Sequence, residues 1–381
     1  MKRRTISIIC RDVSGNSFGR AYILARLLSR DYDIHVIGPQ FGKSIWPPVD
    51  GLLEKHGVRV TSVPAINAYP QFLRAIPSIL SLIGADIVYA LKPFPTSYGL
   101  GLLYHFRNNI PLVLDIDDWE IGTYKSMNSK ELSKIIFKTY RSPNNYFWLN
   151  MLYNFTDKAT AITVSSNFLQ KKYGGTIIPH ARDTDIMKPD SVNVNEVRTR
   201  FGLHGKIIMF LGTIRPHKGV EDLIAAVMRI NRPDVYCVIV GAEQNDVYVQ
   251  QLVSHSNERI RFIPPQSFEK IPELLASADI IVIPQRDSLF SQAQLPAKLF
   301  DGMAMARPIV ATAVSDIPSI LDKCGVIVPP GDVEALALAL TELLDDPTQA
   351  TALGLAAREK CIREYGWNAV SDKLCKVIEG L

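Results

Sequence analysis

Short apolar runs alternate with helical stretches along the whole chain, and this alternation restarts once, near residue 206. That pattern is the signature of parallel sheets wrapped by helices. In the first half, Thr5–Cys10 reads as a strand, followed by the loop Asp12–Gly19 and a helix at about Arg20–Ser29. Further strands are expected near Ile34–Ile37, Arg59–Val63, Ile87–Ala90, Pro111–Asp115 and Ala159–Val164. The polar stretch Pro189–Arg200 reads as a connection between domains. The grammar then resumes with a strand at Lys206–Leu211, a loop at Gly212–Gly219 and a helix at Val220–Arg229. Strands at Val235–Val240, Ile260–Ile263, Ile280–Ile283, Pro308–Ala311 and Val326–Val328 complete the second half.

The chain of 381 residues is too long for one ordinary core and suits two such domains. The expected division is a first Rossmann-like domain over 1–190 and a second over 201–364. A last helix at about 365–381 can pack back on the first. Two doubly wound domains facing one another place a cleft at the carboxyl ends of their strands, where such folds bind ligands. No apolar run reaches the ~20 residues needed to cross a bilayer. The basic start Met1–Arg4 is followed by an apolar run that Arg11 and Asp12 break, so it reads as a first buried strand. Five scattered cysteines fit reduced thiols in a cytoplasmic protein. The net charge of +4 divides unevenly, +9 over residues 1–200 and −5 over residues 201–381. A basic half suits an anionic partner such as a membrane surface, or a solvated face with no partner.

Two segments carry chemistry. In Phe210–Gly219 a strand ends at Gly212, and Arg215 and Lys218 put two cations beside a helix start. Fixed charge, donor N–H groups and the positive end of a helix dipole suit a diphosphate. The second segment is Leu295–Thr312, a helix at Ala297–Met305 followed by a buried strand. Lys298 and Asp301 are three apart and share a helix face. The carboxylate there can accept two hydrogen bonds from ribose hydroxyls while the lysine reaches a phosphate.

These segments, with Ala276–Pro284 between them, resemble in order and spacing the family 4 glycosyltransferases, retaining enzymes of the GT-B fold. Ile177–Pro189 looks like the family's "IPNGVD…F.P" exit from the first domain, and Val328–Asp332 matches near the end. The resemblance covers nearly all of the second half; in the first it rests on strand order and Val164–Ser166. It implies that Arg215 and Lys218 neutralise the donor diphosphate as it becomes the leaving group. Asp301 would stand for the second acid of the family's Glu-x7-Glu motif and bind the ribose. Gly212, Thr213, Gln294 and Leu295 would line the donor, and Gly15 would let the first-domain backbone approach the donor phosphates or the acceptor. The implied donor is a UDP- or GDP-sugar, a substrate rather than a cofactor, and no cofactor or metal is called for.

Two departures stand out. Counting back from Asp301 puts Ala293 where the family has its first Glu; an alternative alignment gives Ser291. Pro296-Ala-Lys298-Leu-Phe-Asp301 fits instead a Pro-x-Lys-x-x-acid version, in which Lys298 aids the phosphates. Backbone N–H groups of the loop Ser291–Leu295 are then the expected contacts to the transferred sugar.

On the acceptor side the candidates are Lys92, Asp117 and His180. Lys92 follows a strand and could meet an acceptor phosphate. Asp117 belongs to Asp115-Ile-Asp-Asp-Trp-Glu120, which lines the acceptor side or caps the next helix. The aromatic and basic stretch Lys134–Tyr153 has the composition of an interfacial helix. The expected function is transfer of a sugar to a glycan or lipid-linked acceptor in cell-surface polysaccharide or glycolipid assembly. The protein would be cytoplasmic and peripheral on the inner membrane face, with no nucleic-acid partner. A donor-binding relative without catalysis is the first alternative. An oxidoreductase is disfavoured because Ser14–Gly19 lacks G-x-G-x-x-G. A solute-binding protein would want an export signal.

Overall fold

The computed structural model describes residues 3–125 and 127–381. The chain divides into two compact units, Met1–His180 with Val370–Leu381, and Ala181–Ala369. Each is built on one wholly parallel sheet, so the α/β, doubly wound class holds for both.

The first sheet has seven strands: β1 (Thr5–Ile9), β2 (Asp33–Gln40), β3 (Arg59–Pro64), β4 (Ile87–Leu91), β5 (Leu112–Ile116), β6 (Ala161–Val164) and β7 (Thr176–Ile177). Their order is β3-β2-β1-β4-β5-β6-β7, with the reversal between β1 and β4. β4 and β5 are buried at every position, because helices cover both faces of a parallel sheet. The second sheet has six: β8 (Lys206–Leu211), β9 (Val235–Val240), β10 (Ile260–Ile263), β11 (Ile280–Ile283), β12 (Ile309–Thr312) and β13 (Val326–Val328). Their order is β10-β9-β8-β11-β12-β13, reversing between β8 and β11. Along β8 the side chains alternate between two cores. Ile207, Met209 and Leu211 join one, and Ile208 and Phe210 the other, as the two-residue period of a strand requires.

Three local readings change. Residues 189–200 are not a bare connection: they lie in the second unit and contain the helix Val194–Phe201. The Asn193 side chain caps it by accepting from the Glu196 N–H at 3.3 Å, so the polar run is a helix start. The two-residue strand β7 was not foreseen, being too short to show a period. The aromatic region resolves into three helices, Glu120–Lys125, Ser129–Lys138 and Tyr146–Tyr153. In the final helix, Trp367–Glu379, the Ser371 hydroxyl donates to the Leu27 carbonyl at 2.8 Å, and Asp372 pairs with Arg30 at 2.7 Å.

One buried ion pair organises the ligand-side edge of the first sheet. Arg20, on the helix Phe18–Leu28, donates through Nε and Nη2 to the Asp115 carboxylate at 2.9 and 2.8 Å. The two side chains are 2% and 0% exposed. The same guanidinium donates to the carbonyls of Ile178 (2.8 Å) and Pro179 (3.2 Å), and Thr163 Oγ1 donates to Asp115 at 2.7 Å. Burial opposes the charge on Arg20, but the adjacent Asp115 more than offsets it and holds the guanidinium protonated. Breaking such a pair leaves an uncompensated buried charge. Asp115→Ala is therefore expected to destabilise the protein by about 3–5 kcal/mol. Asp372→Ala, at an exposed pair, should cost under about 1 kcal/mol. Urea unfolding of both variants checks the contrast.

Candidate active site

The switch point of the second sheet lies between β8 and β11, and the segments that follow these strands carry the donor candidates. After β8 the chain turns at Gly212, with φ 130°. A side chain there would be strained, and its Cβ would run into the Lys298 ammonium. Thr213 and Arg215 are exposed, and Pro216–Lys218 forms one 3-10 turn. Gly219, with φ 68°, then starts the helix Val220–Arg229; a Cβ at this position would strike the Pro284 carbonyl. Arg286 braces this loop. Its N–H donates to the His217 carbonyl at 3.0 Å, and its guanidinium forks onto Asp222 at 2.8 and 2.7 Å.

Lys218 and Lys298 come together at this loop. The Lys218 ammonium donates to the Gln294 side-chain oxygen. Lys298, on the helix Ala297–Ala304, lies over the Phe210 ring with Nζ 4.2 Å from the centroid. It has no carboxylate within ion-pair distance among the described residues. Burial, then the nearby Lys218 charge, push its pKa well below the usual 10.5, and Asp301 only partly opposes this. Arg215 is turned to Asp246, which accepts from its Nη1 at 2.8 Å while capping the helix Val247–Ser254. Its side chain is 47% exposed, so the guanidinium has room to change partner. Leu295 is buried beside the half-buried Gln294.

Asp301 does not stand open with two oxygens, as the sequence suggested. Its Oδ1 accepts from Nε of Arg182, a residue sequence reasoning passed over. Arg182 occupies the position where the resembled exit motif carries valine, which was the one available signal. The segment Ser291–Leu295 is also not a loop. Leu289–Ala293 is a short helix, in which Ser288 Oγ accepts from the Ser291 N–H at 3.1 Å. The Gln294 N–H goes to the Ser291 carbonyl at 3.2 Å. These two donors are thus already engaged.

In the first unit the candidates fall at the ends of β4 and β5. Lys92 has a left-handed backbone, φ 62°, and is 5% exposed. Its ammonium reaches Glu120 at 2.6 Å, Asp118 at 2.8 Å and Asp117 at 3.4 Å. Burial disfavours its charge, but the three carboxylates outweigh burial and raise its pKa well above the ordinary value. An ammonium so surrounded is not set to receive an acceptor phosphate, which corrects that expectation. Asp117 is buried, and burial, with Asp118 and Asp115 against Lys92, pushes its carboxyl up to about 7. Asp115, the first carboxylate of the Asp-x-Asp run, belongs to the Arg20 pair. Gly15 lies in the loop after β1, where its carbonyl accepts from the Phe18 N–H at 3.0 Å. His180 is half-buried and ends the first stretch of that unit. All five cysteines are buried and free, with the thiols of Cys10, Cys237 and Cys361 raised in pKa by burial.

Residues 205–346 match the family model of Glycosyl transferases group 1. A GDP-mannose-dependent alpha-(1-6)-phosphatidylinositol monomannoside mannosyltransferase of Mycolicibacterium smegmatis is 27% identical over 239 residues. That alignment covers 58% of this chain and 63% of the relative. An MMP alpha-(1->4)-mannosyltransferase of Mycolicibacterium hassiacum is 28% identical over 58% of this chain and 52% of its own length. Among solved structures, sucrose-phosphate synthase from Thermosynechococcus elongatus superposes with a TM-score of 0.76 at 17% identity, covering 99% of both chains. Anabaena HepE in complex with UDP-glucose gives 0.75 at 17% identity, over 99% of this chain and 100% of that one. The stretch that matches the Glycosyl transferases group 1 model lies wholly within the second unit, and the two parallel sheets together with these superpositions give the chain the GT-B fold.

Proposed function

We propose that the protein is a retaining glycosyltransferase that moves a sugar from a nucleotide diphosphate donor to a glycan or lipid-linked acceptor. The observation that carries this reading is the pair Lys218 and Lys298 beside the Gly212–Gly219 loop, at the switch point of the second sheet. Two ammonium groups placed before the substrate arrives stabilise the diphosphate as the glycosidic bond breaks and negative charge develops. Removing one preorganised group of this kind costs about 3–4 kcal/mol of barrier. Arg215 would add a third cation by leaving Asp246. Thr213, Gln294 and Leu295 would border the donor, and Asp301 the ribose. Asp117, Lys92, His180 and Gly15 remain the acceptor-side candidates, with carboxylates rather than a free ammonium offered to acceptor hydroxyls. Retention follows from the family resemblance, and the same resemblance motivates transfer without a metal. The GDP-mannose donor of the mycobacterial relative and the UDP-glucose bound to HepE leave both nucleotide classes in view. The absence of an acid at Ala293 motivates the second reading, a donor-binding relative that does not turn over.

We place the acceptor at a membrane surface. The helices Ser129–Lys138 and Tyr146–Tyr153 and the segment before Leu73 are linked by hydrogen bonds from Asn145 to Thr139 (2.8 Å) and from the Tyr69 N–H to the Arg141 carbonyl (2.5 Å). They expose Phe137 (77%), Tyr140 (68%) and Phe147 (61%). Lys130, Lys134, Lys138 and Arg141 flank them, a combination that suits an anionic interface. No helix among the described residues is long and apolar enough to cross a membrane.

Three outcomes test these readings. In a thermal-shift panel of UDP-, GDP-, ADP- and CDP-sugars, one class should stabilise the wild type, by about 2.7 kcal/mol at a hundredfold excess over Kd. Lys218→Ala and Arg215→Ala should lose most of that shift; no response to any nucleotide sinks the donor site. Donor affinity should also fall as pH rises. The bound diphosphate favours charged Lys298, whose pKa in the free protein is lowered, so binding takes up a proton at pH values above that lowered pKa. Between that lowered pKa and 10.5 the unliganded fold gains stability with pH, because the unfolded chain binds more protons. Lys298→Met should flatten the affinity profile, as read by calorimetry from pH 6.5 to 9. Finally, liposomes containing anionic lipid should float the protein at low salt, and Phe137→Ser with Phe147→Ser should leave it in solution. Wild type remaining soluble would remove the membrane proposal.

A further inference from the structure

Arg182 knits together three segments of the second unit. Its N–H donates to the Tyr365 carbonyl at 3.0 Å, and its own carbonyl accepts from the Trp367 N–H at 2.9 Å. Both ends of its side chain are also committed: Nη1 donates to the Ala181 carbonyl at 2.8 Å and Nη2 to the Ala297 carbonyl at 2.9 Å. Nε donates to Asp301 Oδ1. The guanidinium is 13% exposed and the Asp301 carboxylate 14%. Ala297 opens the helix that carries both Lys298 and Asp301, so Arg182 grips that helix at its first residue and again one turn later.

This geometry divides the Asp301 carboxylate. Oδ1 is taken, whereas Oδ2 accepts no hydrogen bond from any described residue. A planar guanidinium pinned by two carbonyls cannot follow a moving carboxylate, so it fixes the direction in which Oδ2 points. We infer that Arg182 is a positioning residue for the donor site, holding Asp301 so that Oδ2 alone reads the ribose and a single hydroxyl, not the pair, is recognised. The inference rests on the donor-site reading above and makes it more specific: the nucleotide is selected for one of its two ribose hydroxyls. A second consequence follows from charge. With Arg182 against it, Asp301 adds little repulsion toward a diphosphate placed at Lys298.

The test is calorimetric binding of the nucleoside diphosphate class that stabilises the wild type, together with its 2′-deoxy and 3′-deoxy forms. One deoxy form should bind the wild type about tenfold to a hundredfold more weakly, the loss of a hydrogen bond to a charged acceptor. The other should bind within about twofold of the parent. Arg182→Met frees Oδ1 and should bring the two losses toward each other. Arg182→Lys, which can return one charged donor to Oδ1, should restore the wild-type ratio. In Asp301→Asn the large loss should shrink, since the charged acceptor is gone. A merely structural arginine would weaken all three ligands alike and leave their ratios untouched. If Arg182→Met does not fold, the wild-type ratio still decides, because equal losses there overturn the inference. Equal losses for both deoxy forms in the wild type, or a ratio unchanged in Arg182→Met, would overturn the inference while leaving the donor site standing. Failure of every parent nucleotide to bind would instead overturn the donor site and this inference with it.

Discussion

Both sheets are wholly parallel, and a parallel sheet must be covered on both faces because each strand returns through a helix on one side or the other. Most of the local architecture follows from that constraint. The strands read as nearly continuous apolar runs, and alternate residues of β8 enter two separate cores. All carboxyl strand ends fall on one edge of each sheet, so polar and charged residues collect in the loops there. Where strand order reverses, neighbouring loops diverge and leave room for a ligand. The glycines Gly212 and Gly219 stand where the loop after β8 passes against Lys298 and Pro284, with no space for a side chain.

Charges at the two edges are handled in opposite ways. In the first unit the buried cations are matched: Arg20 by Asp115, and Lys92 by three carboxylates. These networks rigidify their loops, since removing Asp115 strands the Arg20 charge away from water and removing Lys92 leaves three carboxylates facing one another. In the second unit Lys298 has an aromatic face and a neighbouring lysine instead of a carboxylate. Such an arrangement destabilises the free protein slightly and is relieved by an anion, a pattern more expected of a binding site than of a scaffold. The acid nearest to it, Asp301, is held by Arg182 and so does not neutralise the lysine itself.

Much of this was legible in order of residues. The strand–loop–helix grammar located twelve of the strands, and the Gly212–Gly219 and Lys298–Asp301 segments stood out as a pair, because such signals are local: a few residues within one turn or one loop. What failed was non-local or short. β7 is two residues long and has no period to detect. Asn193 turned a polar run into a helix start through a single side-chain cap. Lys92 looked available for a phosphate because its carboxylate partners lie 25 to 28 positions away along the chain, across β5.

The sequence by itself determined the class of fold, the doubling of the sheet and the glycine-bounded loop after β8, since periodicity and loop composition act over a few neighbouring residues. Only the tertiary structure decided who is paired with whom. Arg20 meets Asp115 across 95 positions and Arg182 meets Asp301 across 119. Those pairings depend on which strands lie side by side, and desolvation gives them their strength only once the chain has closed around them.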